Sequence, residues 1–255
     1  MTMWTATGRA AAALAMLLCA AAARADPDPC AVPGYLLFGD GQLERVAAAV
    51  RKNKELKIAV LGGASSTLPG AGGASFAWPA RLEVALGRRL PGVKVSVAME
   101  LKPRQTAEEM SDSIDKLLVD QKPGLVIWQT GTYDAVRGTD PEEFRASVSD
   151  GVEKLQSGGS DVVLMNMQYS PRTETVVAAG PYADAIRWVA REREVPVYDR
   201  LAIMRHWYDH GQFDLYAATK DMKTAKSVHD CIGRTLASSI IDAARLDSHG
   251  GHTSR

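Results

Sequence analysis

Five short runs of apolar, largely β-branched residues recur along the chain: "KIAVLG" at 57–62, "VKVSVAM" at 93–99, "GLVIWQ" at 124–129, "DVVLMNM" at 161–167 and "VPVYD" at 195–199. Between them, apolar residues recur every three or four positions. "FAWPARLEVALGRRL" has that spacing, "TAEEMSDSIDKLLVDQ" opens on a capping-box pattern from Thr106 to Glu109, and "PEEFRASVSDGVEKL" opens on proline with acids in its first turn. Strands apolar on both faces, alternating with helices, predict a parallel sheet covered on two sides. The fold class expected is therefore α/β, a three-layer α/β/α sandwich around a five-stranded parallel sheet. No internal repeat or low-complexity linker interrupts the pattern. One domain is expected over 26–245, followed by a flexible polar tail over 246–255, whose His249 and His252 read as surface residues rather than ligands.

The first 25 residues follow a different pattern. Arg9 precedes an unbroken apolar run, 10–23, and Ala23 and Ala25 put small residues at −3 and −1 of a cut before Asp26. This is the pattern of a secretory signal peptide, and the run falls short of the roughly 20 residues a transmembrane helix needs. Cys19 follows Leu18 where a lipoprotein signal wants a small residue, so lipidation is not expected. The mature chain is expected to be periplasmic or secreted, with no membrane span after signal cleavage.

Charge narrows the partners. The chain carries 30 Lys+Arg against 30 Asp+Glu, and removing 1–25 takes away Arg9 and Arg24 and no acid, leaving a balance of −2. With no basic stripe, nucleic acid is not an expected partner. Cleavage also leaves two cysteines, Cys30 and Cys231, and in an oxidising compartment such a pair invites a disulfide from the proline-rich N-terminal segment to the last helix.

In a parallel α/β sheet the ligand site lies at the carboxyl ends of the strands. Three features fall there: Gly63-Ala64-Ser65-Ser66-Thr67 after the first strand, Gly131-Thr132-Tyr133-Asp134 after the third, and the segment from Phe213 to Cys231 before the last helix. The phosphate-loop patterns GxxxxGK(S/T) and GxGxxG are missing, which disfavours a nucleotide. A sharp turn at a helix N-terminus would expose the Ser65 hydroxyl and help hold an oxyanion, two of the three things a nucleophilic serine requires; the third is a base.

Together these features resemble the SGNH hydrolases, the GDSL-type esterase superfamily. Gly63-Ala64-Ser65 stands where that family has Gly-Asp-Ser, and Gly131-Thr132-Tyr133-Asp134 where it has Gly-x-Asn-Asp. The surroundings "SSTLPGAGGASFAWPARLEVAL", "LVIWQTGTYDAVRG", "DVVLMNMQYSPR" and "LAIMRHWYDHGQ" resemble an exported bacterial branch, and the likeness spans Lys57 to Ala244. It implies an α/β/α sandwich and hydrolysis of acyl or acetyl esters of lipids, glycans or small molecules, with no metal and no cofactor.

Residue by residue the implied chemistry is incomplete. Ser65 falls on the nucleophile, but the preceding Asp is Ala64, the third-block asparagine is Tyr133, whose ring would fill the pocket, and no glycine lies between Val93 and Lys122 to serve as the second-block oxyanion donor. An ungapped reading puts the family's Asp-x-x-His on Lys220-Asp221-Met222-Lys223; moving the register to make His229 the base leaves Lys226 at the aspartate. A histidine without its acid loses tautomer control, which in serine triads costs on the order of 10⁴ in rate. His229 otherwise reads as a flanking or capping residue, His206 and His210 as packing and surface residues, and Asp134 as a loop anchor. Two functions are carried forward. One is an ester hydrolase on small-molecule or envelope glycan esters, with catalytic Ser65 and with His229 or Lys223 as base. The other is a non-catalytic relative that binds an envelope ligand or partner through the old cleft, with Ser66, Gly131, Tyr133, Asp134, Lys220 and Lys223 as binding residues.

Overall fold

The computed structural model describes residues 28–38, 41–216 and 222–246. The expected signal peptide therefore lies outside the described residues, as does Lys220. Five strands form one wholly parallel sheet in the order β2-β1-β3-β4-β5: β1 Glu55–Gly62, β2 Lys94–Leu101, β3 Leu125–Gln129, β4 Asp161–Met165 and β5 Val197–Tyr198. The central β3 is buried at every position, as a strand covered on both faces must be, while edge strand β2 is nowhere fully buried. The expected three-layer architecture is what the chain adopts.

The helices are α1 Glu44–Ala48, continued by a π-helical turn, α2 Gly73–Phe76, α3 Trp78–Arg89, α4 Ala107–Ser111, α5 Ile114–Gln121, α6 Thr132–Arg137, α7 Pro141–Ser157, α8 Pro171–Glu174, α9 Gly180–Glu192, α10 Arg200–Asp209 and α11 Lys223–Ala243. On one face α11 packs on α3; on the other, α7 packs against α4, α5 and α9. Each presents an apolar stripe at helical spacing: Trp78, Leu82 and Leu86 on α3, Phe144, Val148 and Val152 on α7, and Val228, Ile232, Leu236 and Ile240 on α11. The capping box at Thr106 and Glu109 forms as its sequence predicts. Leu246, the last described residue, rests against the core and donates its N–H to the Ile241 carbonyl at 2.9 Å; the rest of the expected tail lies outside the described residues.

Cys30 and Cys231 are joined in a disulfide with their Cα atoms 5.0 Å apart, tying the N-terminal segment to α11 across 201 residues of sequence. Among the described residues no helix is long and apolar enough to cross a membrane.

Candidate functional site

The order 2-1-3 reverses the winding direction between β1 and β3, opening a crevice at their carboxyl ends. A cleft of about 560 Å³ occupies it, with Ser65, Gly131, Tyr133, Arg200 and His229 in its lining.

Ser65 does not stand at the start of an α-helix. Ala64–Ser66 make a single 3-10 turn, Thr67 is extended again, and the long helix α3 begins only at Trp78. The expected helix-dipole support for an oxyanion at Ser65 is thus absent, because glycines and Pro69 fill the stretch that would have continued the helix. Ser66 faces inward with no exposure and lies outside the cleft lining, correcting its assignment as a cleft residue. Its hydroxyl donates to Gln129 Oε1 at the end of β3. That bond turns the other end of the amide outward, and Gln129 Nε2 donates to Ser65 Oγ at 2.8 Å.

The second group on Ser65 is one that sequence reasoning missed. Arg200 Nη1 donates to the Ser65 carbonyl at 3.1 Å and to Ser65 Oγ at 3.3 Å, and Nη2 reaches Gln168 Oε1 at 3.4 Å. Arg200 is the first residue of α10, held there by its neighbours. Asp199 caps the helix through Ala202 N at 3.0 Å, while Asn166 accepts from Leu201 N at 2.9 Å and donates to Asp199 at 2.7 Å. The Asp199 carboxylate also binds Arg187 Nε at 2.6 Å, and these partners hold it below the usual carboxylate range against the opposing effect of burial. Arg200 is 1% exposed, and among the described residues no carboxylate pairs with it. Burial lowers its pKa to about 10. A signal for it existed: "VYDR" places Asp199-Arg200 immediately after the fifth strand, at the same carboxyl edge as the other site loops.

His229 is 5% exposed rather than a surface residue, and it caps a helix that is not its own. The backbone N–H of Trp78, the first residue of α3, donates to His229 Nδ1 at 3.0 Å. Burial, reinforced by Arg200, lowers the imidazole pKa to about 3, so the ring is neutral over the physiological range. A neutral imidazole that accepts at Nδ1 carries its proton on Nε2. This is the reverse of the tautomer a serine hydrolase needs, in which Nε2 is bare to take the hydroxyl proton.

The remaining predicted residues separate. Gly131 lines the cleft with φ +95°, and a Cβ there would come within 2.8 Å of Met167 Sδ, so glycine is required on both counts. Tyr133 lies on the cleft wall with the Arg137 guanidinium 5.9 Å from its ring centroid; contrary to expectation it leaves the cleft open. Asp134 is buried away from the cleft, accepting the Ala107 N–H with both oxygens at 3.1 and 3.2 Å, and burial pushes its carboxyl up. It anchors the loop to α4. Lys223 is exposed, and α11 presents Thr224, Ala225, Val228 and His229 to the cleft instead. Among the described residues the buried cation of the cleft lining is Arg200. The stretch expected to supply the second oxyanion donor contributes Lys102, Arg104 and Gln105 to the lining.

The model of the Non-GDSL lipase-like family matches residues 29–246. The chain belongs to this family. Its fold is shared with known SGNH-type enzymes at low identity. TesA is 18% identical with a TM-score of 0.58, covering 73% of this chain and 99% of that one. A catalytic mutant of Axe2, an acetylxylan esterase from Geobacillus stearothermophilus, is 16% identical with a TM-score of 0.59, covering 72% and 94%. A two-domain esterase, CEX, active on acetylated mannans, is 13% identical with a TM-score of 0.65, covering 87% of this chain and 58% of that one. No curated protein matches by sequence.

Proposed function

We propose that this member of the Non-GDSL lipase-like family is an exported binding protein that holds a ligand in the former active-site cleft without hydrolysing it. The observation that carries the reading is the polarity of the hydrogen bonds at Ser65. Its oxygen accepts from both Gln129 and Arg200, and the neutral His229 presents N–H rather than a lone pair. A hydroxyl attacks only when a base removes its proton. Both side chains hydrogen-bonded to Ser65 Oγ are donors, and the imidazole in the cleft carries its proton on Nε2, so among the described residues none of these groups can serve as that base.

A second reading, ester hydrolysis, draws support from the guanidinium beside Ser65, a group able to stabilise a developing oxyanion, and from structural neighbours that include esterases of acetylated glycans. The two are separated by p-nitrophenyl acetate and butyrate turnover. Wild type and Ser65→Ala are expected to give the same background rate, and a fluorophosphonate probe is expected to leave Ser65 unlabelled. A turnover that Ser65→Ala abolishes would establish the esterase.

A further inference from the structure

Three polar side chains of the cleft, Ser65, Arg200 and His229, each hold a proton that can be donated to a ligand, while Gln105 Oε1 and Thr130 Oγ1, which also line it, are buried without a partner among the described residues. With both lone pairs of Ser65 Oγ accepting, its one hydroxyl proton is left to donate. Neutral His229 offers Nε2–H because Nδ1 is occupied by Trp78 N. Arg200 offers Nη2, whose contact to Gln168 at 3.4 Å is near the limit of hydrogen bonding. Among the described residues, the oxygens that Arg200 touches are all neutral, and its buried Nε has no partner.

Cations outnumber carboxylates in the lining: among the described residues Lys102, which pairs with Glu100 at 3.0 Å, Arg104 and Arg200 stand against Asp214. A buried guanidinium surrounded by neutral dipoles has given up water without gaining a counter-ion, and an incoming anion restores what desolvation removed. Its planar fork matches the two oxygens of a carboxylate. The lining also carries apolar side chains, among them Leu68, Met204, Leu215 and Val228.

We infer that the cleft is a receptor for a carboxylate-bearing amphiphile, whose head group meets Arg200, the Ser65 hydroxyl and His229 Nε2–H while its apolar body lies along Leu68, Met204, Leu215 and Val228. The inference rests on the binding reading of this cleft and goes beyond it by naming the ligand's charge and shape. It also gives each feature that weakens catalysis a use: a filled lone pair, a donor tautomer and an uncompensated cation all favour a bound anion.

Calorimetric titration of the full mature protein with decanoate, below its micelle concentration and at about pH 8 where the acid is ionised, tests this. Decanoate is expected to bind saturably, and methyl decanoate, the same body without the charge, roughly tenfold to hundredfold more weakly, the range for losing a charge-assisted hydrogen bond. This pair needs no variant, so it stands even if altering a buried arginine impairs folding. Where circular dichroism shows Arg200→Gln folded, it is expected to lose decanoate binding by a similar factor, with Arg200→Lys retaining part of it. Equal affinity for acid and ester, preference for decyl phosphate over decanoate, or full affinity in folded Arg200→Gln would overturn the inference. Ser65-dependent ester turnover would instead overturn the non-catalytic reading alone, since the cleft could hydrolyse esters and still bind the free acid.

Discussion

At the scale of single residues, His229 has the most consequential geometry. Its Nδ1 bond to the Trp78 N–H does for α3 what an N-cap side chain ordinarily does, since Ala77 at the N-cap position has none to offer. The capping fixes the tautomer and so decides what the ring can do in the cleft. It also sets a pH dependence. Folded His229 stays neutral down to about pH 3, whereas in the unfolded chain it titrates near its ordinary value of 6.5. Between those limits the unfolded state binds the additional proton, so the histidine's contribution to stability is full above about pH 6.5 and is lost as pH falls toward 3. His229→Asn, whose side-chain oxygen can accept the same N–H, should remove this component. The slope of melting temperature against pH between about 6.5 and 4 should become shallower than in wild type, and an unchanged slope would argue against a buried neutral imidazole.

At the scale of elements, the pairing of α3 with α11 positions the cleft wall. Gly233 makes the closest approach: a Cβ there would lie 2.6 Å from Arg81 Cβ and 2.8 Å from both Arg81 C and Leu82 N. Two of those atoms are backbone and cannot rotate away, so Gly233→Ala must push the helices apart. Overpacking of this kind costs about 1–3 kcal/mol, and the gain in helix propensity, up to about 1 kcal/mol, offsets only part of it. Urea denaturation should show a net loss of stability; a gain would mean that the pair separates without penalty. The elements themselves were legible, because β1, β3 and β4 are apolar on both faces and the helices carry single stripes. The turn after β1 was not. A serine following a glycine-ended strand suggests a helix start, but Gly70 and Gly72 adopt positive φ, and the first α-helix after Ser65 is the single turn α2 at Gly73, with the long helix α3 following at Trp78.

At the scale of the whole molecule, the Cys30–Cys231 bridge joins the two ends of the described chain. Closing so long a loop restricts the unfolded state, and its reduction should lower stability by roughly 2–5 kcal/mol. Intact-mass analysis of protein recovered from the periplasm or medium of an expressing host should find a chain beginning at Asp26 and lighter by two hydrogens than its reduced form. Two reactive thiols in the unreduced, denatured protein would contradict the bridge.

Taken alone, the sequence determined the layered fold, the strand edge where the cleft lies, Ser65 in its lining and the pairing of two cysteines, because each follows from local periodicity or from residue type. The tertiary structure alone decided which groups meet there. Arg200 and His229 stand 135 and 164 residues beyond Ser65, and Trp78, which fixes the histidine, starts another helix. Whether a serine reacts or binds depends on which way the protons around it point. That direction is set by partners brought together in space, and no spacing along the chain encodes it.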